Sequence, residues 1–99
     1  MLAALALAAV LVYQDDFGYV RLTQEPCPEI VGQLLLDTVR KDFRGGEYLE
    51  KKSGSKMAVC WFNPPGSDVI YLHFQDNDRG LIQVDKFKPD EPPNFGERI

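Results

Sequence analysis

The chain is short of most of the residues that chemistry requires. Among its 99 residues it holds two cysteines, one histidine and one tryptophan. Two Cys and one His without paired spacing do not make a tetrahedral zinc cage, so no metal site is expected. No Gly-rich phosphate loop and no Gly-x-Ser-x-Gly elbow occurs, which removes the usual nucleotide and serine-hydrolase signatures. There is no internal repeat and no low-complexity tract. The longest uncharged apolar run, Leu2 to Tyr13, falls short of the ~20 residues a membrane-spanning helix needs, so no transmembrane protein is expected. Positive charge is also short. The net charge is -4 and the pI about 4.8, which argues against nucleic-acid binding through an overall basic surface. No cofactor is expected.

What is present describes one small domain. A chain this short buries only about 60–65% of the surface exposed when unfolded, so a covalent staple would matter. Residues 1–14 (MLAALALAAVLVYQ) carry no charged side chain and read as a signal peptide or a short apolar N-terminal segment. Residues 15–89 read as the domain. Residues 90–99 contain Pro92, Pro93 and Gly96 and read as a flexible, Pro-rich tail.

Within the domain, aromatic and β-branched residues predict a first strand from Phe17 to Gln24, broken by Glu25-Pro26-Cys27-Pro28. Ile30, Val31, Leu34, Leu35, Val39 and Phe43 recur at three- and four-residue spacing. They predict a helix from Glu29 to about Phe43, opened by Pro28 and stopped by Gly45-Gly46. The period then changes to two. Strands are predicted at 47–52, 56–63, 68–75 and 81–87, with a hairpin at Asp76–Gly80. The fold class expected is α+β, with one helix packed on the inner face of a small antiparallel meander in the order β-α-β-β-β-β.

Cys27 falls at the mouth of the predicted helix and Cys60 in the middle of a predicted strand. A helix lying across the sheet can bring the two together, so a Cys27–Cys60 disulfide is expected. The bond and the apolar N-terminus point the same way, to a periplasmic or secreted protein.

The remaining constellations are weak. Cys27 with His73 is formally a thiol–base pair, but the disulfide uses the thiol. The stretch Asp76-Asn77-Asp78-Arg79-Gly80 fails the calcium-loop pattern, because Gly80 is fifth and Phe87 twelfth from Asp76. No nucleophile, base and oxyanion donor coincide, so no catalytic residue is assigned. The charge is polarised, however. Residues 40–56 hold six cations, Arg40, Lys41, Arg44, Lys51, Lys52 and Lys56, against three acids. If the end of the helix adjoins the next hairpin, these cations form a patch for an anionic partner, either a protein or an envelope component. Tyr48, Trp61, Phe62 and Tyr71 lie on strands, and a one-sided sheet would expose some of them.

Arg21-Leu22-Thr23, Pro26-Cys27-Pro28, Ala58-Val59-Cys60-Trp61, Gln75 to Gly80 and Phe87-Lys88-Pro89 together resemble small exported proteins of proteobacteria and their phages, most of them uncharacterised. The resemblance implies a periplasmic or phage-linked setting and a paired-cysteine domain. It implies no activity. The expected function is therefore a non-catalytic binding or accessory module, acting through the sheet face or edge opposite the helix. An inhibitor of a host enzyme, using the tail or a hairpin tip, and a small thiol enzyme using Cys27 are the competing readings.

Overall fold

The structure, a computed structural model, describes residues 10–89. Seven strands form one antiparallel sheet: β1 Leu11–Gln14, β2 Gly18–Pro26, β3 Arg44–Glu50, β4 Lys56–Phe62, β5 Val69–Phe74, β6 Arg79–Gln83 and β7 Lys88–Pro89. The order across the sheet is β6-β5-β4-β3-β2-β1-β7. Consecutive strands pair antiparallel from β1 through β6, with residues 27–43 intervening between β2 and β3, and β7 then pairs with β1.

That last pairing dictates the shape. β6 and β7 lie at opposite ends of the sheet, six strand spacings apart, or about 29 Å if the sheet were flat. Yet only the short 3-10 turn Val84–Lys86 and Phe87 link them, and the five residue steps from Gln83 to Lys88 reach at most about 18 Å. The sheet must curl until its two edges approach, and it forms a half-barrel.

The core lies inside the curl. Val20, Leu22, Val59, Ile70, Leu72 and Phe87 are buried together, with Leu11, Tyr13, Tyr48, Trp61, Phe74 and Ile82 packed around them. Phe87, on the link between the edges, meets the Tyr13 ring at 5.7 Å. The Trp61 indole N–H donates to the Thr23 carbonyl at 2.8 Å and ties β4 to β2. Sheet and link therefore close the core without a helix.

The expected α+β class with a helix on the inner face is thus corrected to a mostly antiparallel sheet. The region from Glu29 to Phe43 contains two single turns, α1 Glu29–Gly32 and α2 Asp37–Arg40, separated by extended backbone at Leu36. Gly32 weakens helix propagation at the first break. Once the sheet has filled its own core, the apolar stripe has little left to pack on. Val31 is fully buried, but Ile30, Leu34, Leu36 and Val39 remain exposed. The segment lies on the outer face, where Val31 sits beside β4.

Gly45 and Gly46 do not stop a helix. They are inside β3, where two other segments come close. A Cβ on Gly46 would stand 2.5 Å from the Arg21 carbonyl oxygen, and one on Gly45 2.8 Å from the Pro26 oxygen and 3.1 Å from Pro28 Cδ. The absence of a side chain at Gly45 lets Pro26-Cys27-Pro28 cross β3 next to its paired residue Cys60. There the Cys27–Cys60 disulfide forms, with the Cα atoms 5.3 Å apart. Cys60 is fully buried. The bond pins the outer segment to the middle of the sheet, and such bonds persist in an oxidising compartment.

Of the segment 1–14, residues 11–14 form β1, an inner strand between β2 and β7. Residues 1–9 and the 90–99 tail lie outside the described residues. No helix among the described residues is long and apolar enough to cross a membrane.

Two stability measurements follow. Gly46→Ala should lose about 1–3 kcal/mol in urea denaturation, because the new methyl meets backbone with no room to yield. A Cys27→Ser/Cys60→Ser variant, which opens a 33-residue span, should lose about 3–4 kcal/mol. Reduction of the unaltered protein should reproduce that loss.

Candidate binding surface

Alternation along the strands sorts the remaining side chains. Residues opposite in phase to the core face outward, and the register lines them up. Phe62, Tyr71 and Leu81 are direct neighbours across β4, β5 and β6. Phe43, at the end of the outer segment, packs its ring 5.4 Å from that of Phe62. The result is an apolar row on the outer face, with Tyr71 45% and Leu81 64% exposed. Two residues along the strands, Cys60, His73 and Arg79 form the next row. Phe43, Tyr71, Leu72, His73, Arg79, Gly80 and Leu81 enclose a shallow groove of about 570 Å³.

The polar side of this groove is differentiated. His73 Nε2 lies 2.8 Å from Asn77 Oδ1. Asn77 has a positive φ of 71° in the β5–β6 turn, a conformation asparagine tolerates. His73 is thus fixed to its own hairpin. The Arg79 guanidinium has no hydrogen-bond or ion-pair partner among the described residues. It offers a planar, always-charged donor at the edge of an apolar surface, suited to a carboxylate.

The structure divides the six cations that the sequence grouped. Arg40 donates from Nη2 to Asp37 at 3.2 Å, and its side chain lies against Gly32. Arg44 Nη1 donates to the carbonyls of Lys41 and Phe43 at 3.2 and 3.3 Å. These two arginines brace the outer segment. Lys51, Lys52 and Lys56 belong to the turn at the other end of the β3–β4 hairpin. Six residue steps along β3, about 20 Å, separate Arg44 from that turn, so the six do not form one patch. Cys27 and Cys60 are bonded to each other, and Cys27 is not a free nucleophile.

A second hollow, of about 230 Å³, opens at the end of the half-barrel near Tyr13, Asp15, Phe17, Tyr48, Asp76 and Asp78. Its acids are occupied. Asp15 Oδ1 accepts from the N–H groups of Phe17 and Gly18 at 2.9 and 3.0 Å, and Oδ2 accepts from the Tyr13 hydroxyl at 3.0 Å. Asp76 and Asp78 accept from the backbone N–H groups of Asp78 and Arg79. These carboxylates shape turns. No metal-holding group of His, Cys, Asp or Glu occurs among the described residues.

The electrostatics of this hollow follow from those bonds. For Asp15, desolvation pushes the pKa upward, but the two backbone donors, Tyr13 and the Lys51 charge together hold it below its ordinary 3.8. The bond to Asp15 raises the Tyr13 pKa, with desolvation and the carboxylate charge adding to it. Desolvation, then the charges of Glu50 and Asp15, raise Tyr48.

Sequence reasoning placed the binding face opposite the helix. The exposed row is on the same outer face as α1 and the disulfide. The alternation of Ile70, Leu72 and Phe74 carried the signal, since it turns Tyr71 and His73 the other way. Phe43 was hidden by its place in the apparent helical stripe. Comparison with known proteins adds no relative: no family model, no curated protein and no solved structure matches this chain.

A carboxylate whose folded pKa is depressed stabilises the fold above its ordinary pKa and loses that contribution as pH falls through the folded value. The advantage of the natural chain over Asp15→Asn should therefore be full at pH 7 and shrink as pH drops below 3.8. Thermal melts of both proteins from pH 7 to pH 2 check this.

Proposed function

We propose that this protein is a small exported, non-catalytic binding module of a bacterial envelope or phage, periplasmic or secreted, and that its binding surface is the outer face of β4, β5 and β6. The observation that carries the reading is the row Phe43, Phe62, Tyr71 and Leu81 beside Arg79. Exposed Tyr71 and Leu81, continued by the half-buried rings of Phe43 and Phe62, make an apolar surface that is costly in water and that a partner would cover. Aromatic anchors with an arginine at the margin are the side chains that dominate protein recognition.

The chemistry of the groove suits a protein segment with an aromatic or branched aliphatic side chain for the Tyr71–Leu81 hollow and a carboxylate for Arg79. The disulfide supports export, and the apolar residues at the N-terminus and the resemblance to small exported proteins point the same way. A Cys27 thiol enzyme has its sulfur bonded to Cys60 against it.

The test is NMR titration of the full chain with short acidic peptides that carry one aromatic residue. Shifts should concentrate on Phe43, Phe62, Tyr71, His73, Arg79 and Leu81. Tyr71→Glu and Arg79→Glu should each weaken binding about tenfold, which corresponds to ~1.4 kcal/mol, whereas Lys52→Glu should leave it unchanged. Shifts mapping to the Lys51–Lys56 turn instead would move the site to that turn.

A further inference from the structure

The curl that closes the core leaves one end of it open. Tyr13, Val20, Tyr48 and Met57 pair across β1 to β4 in one inward-facing row. The neighbouring row is Leu22, Gly46, Val59 and Phe74. The rings of Tyr13, Tyr48 and Phe74 line the 230 Å³ hollow, and contacts on the protein fix them. Tyr48 lies across Gly18, where a Cβ would collide with its ring. It also stands edge-on to Phe74, with centroids 5.6 Å apart and planes at 83°. The Tyr13 hydroxyl is held by Asp15. Phe17 adds a fourth ring at the rim and is 76% exposed.

The carboxylates of the hollow come from two turns, Asp15 from β1–β2 and Asp76 and Asp78 from β5–β6. The curl brings these turns to one mouth. Each carboxylate accepts hydrogen bonds from backbone N–H groups. Those neutral donors occupy lone pairs and leave the negative charge in place. None of the three acids is in an ion pair among the described residues, and Lys51 acts on Asp15 only through its field. The mouth therefore combines fixed aromatic walls with uncompensated negative charge.

We propose that the mouth of the half-barrel binds a quaternary ammonium group, of the kind choline carries, against the rings of Tyr13, Tyr48 and Phe74 and in the field of Asp15, Asp76 and Asp78. Aromatic rings attract a cation placed over their faces, most strongly when it is desolvated. The type of cation follows from the oxygens. A primary ammonium has three N–H groups to satisfy, and a metal ion needs oxygens bonded to it directly. Here the carboxylates already serve the turns, and no metal-holding group of side chains occurs among the described residues. A quaternary ammonium asks only for charge and apolar contact. The acidic rim also repels phosphate, so the ligand is a free quaternary ammonium compound and not a phosphocholine lipid headgroup. The site lies on the inner side of the sheet and is independent of the outer-face row.

The experiment is NMR titration of the oxidised full chain with choline chloride. Three other probes run beside it: the neutral alcohol in which tert-butyl replaces trimethylammonium, phosphocholine, and Nα-acetyl-lysine methylamide. Choline should shift the signals of Tyr13, Phe17, Tyr48 and Phe74 and bind about tenfold more tightly than each of the other three. In Asp76→Asn/Asp78→Asn the amide oxygens still accept from the two turn N–H groups, and two charges are lost. Choline affinity should fall about tenfold with the melting temperature retained. Tyr48→Phe keeps the ring and should bind as the natural chain does. If the double variant fails to fold, the neutral alcohol decides, because it tests the charge on the natural protein. No shift at about 50 mM choline, a dissociation constant too weak to count as recognition, overturns the proposal. So do equal binding of the neutral alcohol, tighter binding of phosphocholine or the lysine amide, a folded double variant that binds as the natural chain does, and choline shifts confined to Tyr71 and Leu81. The peptide titration reads the outer face, so its failure and the failure of this proposal show on different residues.

Discussion

A reach of a few residues governs this molecule. The chain leaves one end of the sheet at Gln83 and has to pair at the other end by Lys88. No flat sheet permits that, so the strands curl and bring their apolar sides to face one another. Phe87, carried on the connecting turn, fills the space between the approaching edges and touches Tyr13. The hydrophobic effect supplies the driving force, but the connection decides that the sheet packs on itself.

Everything outside the curl follows from that. The segment after β2 cannot enter the core, so it crosses the outside and needs another attachment. The attachment is covalent. Gly45 leaves a gap in β3 wide enough for Pro26-Cys27-Pro28 to pass over, and Cys60 stands beside the gap. Val31 then docks next to β4, Arg40 and Arg44 brace the chain beyond it, and Phe43 arrives on Phe62. The disulfide thus also positions one wall of the exposed aromatic row. A surface that would be costly in a monomer is assembled by the same bond that holds a short, weakly packed segment in place.

The strands β2 to β6 were legible because alternation and turn chemistry are local signals. The disulfide was legible from two cysteines and their positions. The helix misled because Ile30, Val31, Leu34, Leu35, Val39 and Phe43 have helical spacing, and spacing does not tell whether a surface is available to bury the stripe. Once the sheet had closed its own core, one turn was enough for Val31. β1 was obscured because Leu11–Gln14 continues an uncharged apolar run that reads as an export signal. β7 was obscured because two residues ending in proline give no periodicity. The grouped cations misled for a related reason: neighbours in sequence at opposite ends of a β-hairpin lie a strand length apart. Gly45-Gly46 was read as a terminator, whereas its role is close approach inside a strand, which depends on partners far away in the chain.

The pairing of Leu11 with Pro89 and Val12 with Lys88 makes the first and last strands neighbours. During synthesis the β1–β2 hairpin emerges early, with the outer side of β1 unsatisfied, and waits for Lys88 and Pro89 before that side is covered. β7 acts as a latch, and quality control that samples exposed strand edges would hold on to the molecule until it snaps shut.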